Sequence, residues 1–227
     1  MQGYYRFPLI YKNKIAFISD DDLWLSDLNT LNSKRLTTNI ANVSSPKFSP
    51  DGNFISYIGI EDGNTEVYII PSEGGISTRL TFEGAFISKV ALWNKDGIIY
   101  ASDLEKPFNR ISDLRIFNIS NNCSKALNFG ISSNIAIHND FTVIGRNTQD
   151  PARWKRYKGG TAGELWIDHN INNFNKLINI KGNLACPLII NQRIYFISDH
   201  EGIANIYSCL KTGKSLLKHT NHKNYFV

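Results

Sequence analysis

The chain has 227 residues, 42% of them hydrophobic and 20% charged, which places it with ordinary globular proteins and outside the disordered and collagen-like classes. Lys and Arg number 25 against 20 Asp and Glu, with a pI near 9.0; this modest excess admits acidic partners but by itself describes a solvated surface. Met1-Gln2-Gly3-Tyr4-Tyr5-Arg6-Phe7-Pro8 has no apolar signal core and no stretch approaches the roughly 20 apolar residues of a membrane helix, so a cytoplasmic address with no membrane partner is expected.

Along the chain one short unit recurs: an acidic or amide residue, a β-former, and usually an aromatic. It reads Asp22-Leu23-Trp24, Glu66-Val67-Tyr68, Asp113-Leu114-Arg115, Glu164-Leu165-Trp166 and Asn205-Ile206-Tyr207. Its third positions, 24, 68, 115, 166 and 207, are 44, 47, 51 and 41 residues apart. A period in the forties with strand-like sequence marks β-propeller blades, each a four-stranded sheet. The fold class expected is all-β, a propeller of about five four-stranded blades over 1–227, with almost no helix because no 3.6-residue periodicity is sustained.

The blades fall at about 10–40, 45–83, 88–130, 134–182 and 185–222. Blade 1 takes Lys14 to Ser19, a turn at Asp20-Asp21, and Asp22 to Leu25. Blade 2 is announced by Ser45-Pro46-Lys47-Phe48-Ser49-Pro50-Asp51-Gly52, where Pro sets φ and Gly accepts a positive φ. Blade 3 turns at Asn94-Lys95-Asp96-Gly97, and blade 4 holds the longest insertion, 147–163. Blade 5 runs through Arg193 to Ser198 and the turn Asp199-His200-Glu201-Gly202. Residues 221–227 resemble the start of a further inter-blade strand, so the array is expected either to close as a small ring or to be completed by something else, since unpaired sheet edges invite association.

Little in the sequence is arranged for catalysis. There is no Gly-x-Ser-x-Gly elbow, no phosphate loop and no carboxylate pair apart from turn aspartates. His138, His169, His200, His219 and His222 lack further ligands at metal spacing, and His200 reads as a turn or core histidine. Cys123, Cys186 and Cys209 are odd in number with no knuckle or redox spacing, and are expected to be reduced and packed as small apolar residues. No catalytic residue, cofactor or metal is therefore expected on this chain. The outlying segment is the insertion, where Arg153, Lys155, Arg156 and Lys158 alternate with Trp154 and Tyr157 just past Arg146. Three readings stay open for it. It binds nucleic acid through cations and stacked rings. It holds anionic groups such as peptide carboxylates, which arginine matches bidentately. Or it is a packed insertion whose long side chains cover apolar surface.

Arg146-Asn147-Thr148, leading into Trp154-Lys155-x-Tyr157-x-Gly159-Gly160-Thr161-x-Gly163-x-Leu165-Trp166-Ile167, resembles the tricorn protease family of archaea and bacteria. So do Asp21-Asp22-Leu23-Trp24, Ser102-Asp103 with Pro107-Phe108, Arg193 to Gly202, and Lys218-His219-Thr220. The resemblance covers the whole chain in order. It implies the first, six-bladed propeller of a large cytoplasmic serine peptidase that trims oligopeptides released by the proteasome, of which this chain, short by about one blade, would be an incomplete six-bladed propeller. The family's catalytic serine, histidine and acidic residues lie in later regions that nothing here matches.

On this resemblance the chain is expected to be a non-catalytic N-terminal subunit or fragment. It would complete the assembly and line a peptide passage, with oligopeptides as ligands. A separate C-terminal catalytic chain would be its partner, within a homo-oligomer of the complete assembly. Arg146, Arg153, Lys155 and Arg156 are the residues expected at a peptide or interface contact, and nucleic acid is not expected as a partner. The alternative is a free-standing TolB-like propeller acting as a protein-interaction scaffold.

Overall fold

The structure is a computed structural model and describes residues 4–38, 42–61, 63–108, 111–147 and 156–224. These residues form no helix, so none is long and apolar enough to cross a membrane. They form five antiparallel sheets of four strands, each built from strands consecutive in the chain, as the repeat predicts. Blade 1 is β1 (Arg6–Tyr11), β2 (Lys14–Ser19), β3 (Asp22–Asp27) and β4 (Ser33–Arg35). Blade 2 is β5 (Ser44–Phe48), β6 (Phe54–Gly59), β7 (Glu66–Pro71) and β8 (Thr78–Arg79). Blade 3 is β9 (Ile87–Asn94), β10 (Gly97–Ser102), β11 (Asp113–Asn118) and β12 (Cys123–Ile131). Blade 4 is β13 (Asn134–His138), β14 (Phe141–Arg146), β15 (Glu164–Asp168) and β16 (Asn175–Lys176). Blade 5 is β17 (Leu184–Ile190), β18 (Arg193–Ser198), β19 (Asn205–Leu210) and β20 (Leu217–Lys218).

The first blade starts at Arg6, ahead of the boundary read near residue 10, because β1 pairs with β2 through Leu9↔Ala16 and Arg6↔Ile18. Residues 221–224 form no strand, and 225–227 lie outside the described residues. The chain packs as two compact units, Met1–Asn128 and Phe129–Val227; the first holds blades 1, 2 and most of 3, the second blades 4 and 5.

Successive side chains point to opposite faces of a strand, so the consecutive apolar residues of strands such as β6, β10 and β18 put apolar side chains on both faces of their sheets. Ala16, Ile18, Leu23 and Leu25 of blade 1 pack on Ile55, Tyr57, Tyr68 and Ile70 of blade 2. The other face of blade 2 gives Ile58 and Val67 to Val90, Ile98, Tyr100 and Phe117 of blade 3. In the second unit Val143, Leu165 and Ile167 meet Ile194, Phe196, Tyr207 and Cys209. Each fully buried side chain of this size contributes roughly 1.5–3 kcal/mol, which is what joins one blade to the next.

The acidic residue of the repeat has a structural role. Thr37 Oγ1 donates to Asp22 Oδ1 at 2.7 Å and accepts from Leu23 N at 3.0 Å. Thr81 does the same between Glu66 Oε2 (2.5 Å) and Val67 N (2.8 Å), and Thr220 between Asn205 Oδ1 (2.8 Å) and Ile206 N (2.9 Å). A threonine just past the fourth strand thus ties the blade's end to its third strand, and the buried acceptor is satisfied. Blades 3 and 4 have no such threonine: Asp113 pairs with Lys106, and Glu164 with Lys176 at 2.6 Å.

A second shared device was not visible in the repeat. Phe7, Ser45 and Cys186 have φ of 51°, 50° and 54°, each precedes a proline, and each sits where the first strand's register shifts. A bulge frees the ladder position where proline has no N–H to donate. This bulge also corrects the cysteine expectation. Cys209 is buried, whereas Cys186 on the bulge and Cys123 at the start of the outer strand β12 are exposed.

Candidate functional site

The connections between second and third strands vary most: residues 20–21, 60–65, 103–112, 147–163 and 199–204 in blades 1 to 5. The shortest is a two-residue turn with both aspartates at positive φ, Asp20 at 48° and Asp21 at 65°, as a twisted hairpin requires. The longest is the basic insertion of blade 4. Arg153 and Lys155 lie outside the described residues, with the rest of 148–155.

Arg146 ends β14 opposite Glu164. Its guanidinium lies 4.2 Å from the Trp166 ring centroid, and its Nε is buried with no hydrogen-bond partner. Burial pushes the Glu164 carboxyl up, but hydrogen bonds from Lys176 and Trp166 and the charges of Lys176 and Arg146 outweigh it and hold the group below its usual range. Arg156 is bound to blade 5: its amide donates to Asp199 Oδ2 at 2.7 Å and its Nε to the Gly202 carbonyl at 2.9 Å. Asp199, almost fully buried, also accepts from Asn183 N at 2.7 Å and Asn183 Nδ2 at 2.9 Å. A Cβ at Gly159 would lie 2.2 Å from the Tyr157 hydroxyl, so a larger residue there would make the Tyr157 ring shift. So the structure places Arg146 on Trp166 and Arg156 on the blade 5 turn.

Two serine–histidine contacts look like nucleophile and base. Ser198 Oγ is 3.0 Å from His200 Nδ1, and Ser208 Oγ is 2.7 Å from His219 Nε2. Both serines are in strands and essentially inaccessible, so no carbonyl can reach either oxygen. Burial lowers the His200 pKa, against the opposing charge of Glu201, and its ring packs on Tyr207 with centroids 4.5 Å apart. Among the described residues no three His, Cys, Asp or Glu side chains gather as metal ligands.

Sequence reasoning missed two features of the first unit. A cleft of about 350 Å³ opens between turns of blades 2 and 3, with Phe54, Trp93, Ile119, Asp51, Lys95 and Asp96 among the residues that line it. The other is a pinned loop after blade 2. Glu83 accepts from Tyr100 Oη at 2.5 Å, Ser102 Oγ at 2.8 Å and Arg115 Nε at 3.2 Å, with only 8% of its side chain exposed. Burial, followed by the Glu83 hydrogen bond, raises the Tyr100 hydroxyl pKa well above its usual value. The available signal was Arg115 itself, the one non-aromatic third position of the repeat.

Blade 5 presents one face that is not covered as its counterpart is. Ile197 pairs with Ile206 where blade 2 pairs Ile58 with Val67. Ile58 is 2% and Val67 0% exposed, but Ile197 and Ile206 are only half-buried. On the same face run Leu188, Tyr195, Ser208 and Leu217 in register; Leu188 is 56% and Leu217 50% exposed at the two ends of the row, Tyr195 is half-buried, and Ser208 is fully buried.

A family model described as the tricorn protease N-terminal beta propeller domain matches residues 2–227. A tricorn protease homolog of Saccharolobus solfataricus is 39% identical over 232 residues, which is 100% of this chain and 22% of that protein, so the chain spans about a fifth of the relative's length. In Sulfurisphaera tokodaii, a tricorn-like protease N-terminal subunit is 39% identical over 176 residues, 76% of this chain and 90% of its own. A tricorn-like protease C-terminal subunit of the same organism is 51% identical over 53 residues, 23% of this chain and 6% of its own. The crystal structure of the tricorn protease superposes with a TM-score of 0.91 at 30% identity, over 100% of this chain and 23% of that one.

Proposed function

The chain belongs to the tricorn protease N-terminal β-propeller family, and from that membership we propose that it is the non-catalytic propeller component of a tricorn-type serine peptidase acting on oligopeptides in the cytoplasm, downstream of the proteasome. In this reading the five blades are part of a six-bladed propeller that lines a peptide passage. The catalytic serine, histidine and acid come from a C-terminal chain, within a homo-oligomer of the complete assembly.

The observation that carries the proposal is the partly uncovered face of blade 5. Ile197 and Ile206 repeat the positions through which blade 2 takes blade 3, so the surface that fits them is another blade of the same kind. The Sulfurisphaera tokodaii relatives support the division into two chains: the N-terminal subunit accounts for 76% of this chain and the C-terminal subunit matches 23% of it. Arg146, at the end of β14, and Arg153, Lys155 and Arg156, in the longest connection of the blades, are assigned to contact with peptide or partner on the strength of that place in the chain.

Co-expression with the C-terminal tricorn-like chain of the same genome tests this. The expected result is a stable complex that hydrolyses oligopeptides, which neither chain does alone. A monodisperse chain that binds no partner and leaves hydrolysis unchanged would instead support the free-standing scaffold.

A further inference from the structure

Each blade is built from four consecutive strands and borrows none, so it meets its neighbours through its two faces. The face turned to the preceding blade carries one cross-strand pair at the same place in blades 2, 3 and 5: Tyr57↔Tyr68, Tyr100↔Arg115 and Phe196↔Tyr207. The aromatic members of these pairs are at most 2% exposed. What covers them is the mainly aliphatic face of the blade before. Ala16, Ile18, Leu23 and Leu25 of blade 1 lie on blade 2, Ile58 and Val67 of blade 2 on blade 3, and Val143, Leu165 and Ile167 of blade 4 on blade 5.

Blade 1 carries the same face, and there it is only partly covered. The matching pair is Phe17↔Trp24, both half-buried. Ile15, on the same face, is half-buried where its counterparts Ile55 and Ile194 are 0% exposed, and Ile10, opposite Ile15, is 66% exposed. Tyr5 meets Phe17 edge-on with centroids 5.3 Å apart but is itself 64% exposed. Trp24 Nε1 donates to the Ser19 carbonyl at 3.1 Å, so the indole is held in place and its one polar atom is satisfied within the blade. A ring fixed in this way offers apolar surface at little cost in freedom, as the anchors of protein interfaces do.

We propose that the Phe17–Trp24 face of blade 1 seats a further four-stranded blade by that blade's aliphatic face, and that the C-terminal chain of the tricorn-type assembly supplies it. The inference rests on the function proposed above and adds a contact surface made by residues other than those of blade 5. The kind of occupant follows from repetition: in blades 2, 3 and 5 this face is buried by the next sheet, through the same positions each time. The source follows from the relatives. The tricorn-like C-terminal subunit of Sulfurisphaera tokodaii has a stretch 51% identical to this chain over 53 residues, about the length of one blade where the repeat steps by 41 to 51. The pairing also fixes orientation, because the rings of blade 1 match the aliphatic face of an arriving blade and not its aromatic one.

Photo-crosslinking reads the occupant directly. With p-benzoylphenylalanine in place of Ile10, irradiation of the two full chains together is expected to link residue 10 to a strand of the C-terminal chain, identified by peptide mass. Alongside it, the affinity of the C-terminal chain is measured for wild type, for Ile10→Glu and for the blade 5 variant Leu188→Glu. Both substituted side chains are more than half exposed, and circular dichroism confirms folding. That crosslink, with a loss of at least tenfold for Ile10→Glu, supports the proposal. Equal affinity of Ile10→Glu and wild type overturns it, and if Leu188→Glu still weakens the complex the proposed function stands. Crosslinks that go only to a second copy, only within the chain or nowhere also overturn it, whereas failure of wild type to bind at all overturns both.

Discussion

Blades 2 and 5 have the same strand order, the same proline-linked bulge and the same threonine clamp, yet they are buried differently. In blade 2, β6 and β7 are buried on both faces, against blade 1 on one side and blade 3 on the other. In blade 5, β18 alternates between buried Ile194 and Phe196 and half-buried Tyr195 and Ile197. The covalent pattern is nearly equal, so the difference lies in what packs beside each sheet. A blade therefore carries the information for two neighbours whether or not both are present.

The sharpest way to break the comparison is in the core. Ile58→Ala should cost about 3 kcal/mol and Ile197→Ala about 1 kcal/mol in urea unfolding of this chain alone, because only the first leaves a closed cavity. If a partner blade covers Ile197, its cost rises toward that of Ile58 in the complex; equal costs in the isolated chain would refute the contrast. Next comes the clamp. Thr81→Val should lose about 2 kcal/mol, since Glu66 is fully buried and would lose a charge-assisted bond, against about 1 kcal/mol for Thr220→Val, where the acceptor is the neutral Asn205. A larger loss for Thr220 would reverse that order.

Two smaller effects separate the blades by pH. Hydrogen bonds from Lys14 and Lys34, with their charges, lower the Glu73 carboxyl from 4.5 to about 2 and tie the turn of blade 2 to blade 1. A depressed carboxyl stabilises the fold above its unfolded pKa, so this contribution is complete above pH 4.5 and is lost as pH falls toward 2. Glu73 is largely exposed, so Glu73→Gln should cost under about 1 kcal/mol at pH 7 and nothing near pH 2, with 1 M salt removing most of it. His200 gives blade 5 its own, smaller dependence. Its pKa is lowered by burial, with Lys218 and Lys158 also lowering it and Glu201 and Asp199 opposing. Stability should therefore be full above the ordinary value of 6.5 and decline as pH falls below it, and His200→Asn should flatten that slope. A slope unchanged in the variant would remove His200 as its source.

The blade repeat was legible because strand alternation and turn chemistry are local: Ser49-Pro50-Asp51-Gly52 closes its turn through Gly52 N to the Ser49 carbonyl at 2.9 Å, with Gly52 at φ 78°. The function of the repeated acid was not legible. Its partner threonine lies 15 residues away in Asp22–Thr37, Glu66–Thr81 and Asn205–Thr220 alike, and neither residue shows by itself whether it faces water or the other. Of the site residues, Arg156 was read for its charge, whereas its backbone amide and Nε are what the fold uses. Glu83 was not singled out, because a glutamate in a short loop carries no sign that Tyr100, Ser102 and Arg115 converge on it.

Composition and period by themselves determined an all-β chain of five four-stranded units, since hydrogen bonding and side-chain alternation within a blade depend on near neighbours in sequence. The tertiary structure alone decided which blade faces are covered and which charges are consumed in clamps. Those outcomes depend on burial, and burial is a property of surfaces that come together from distant parts of the chain.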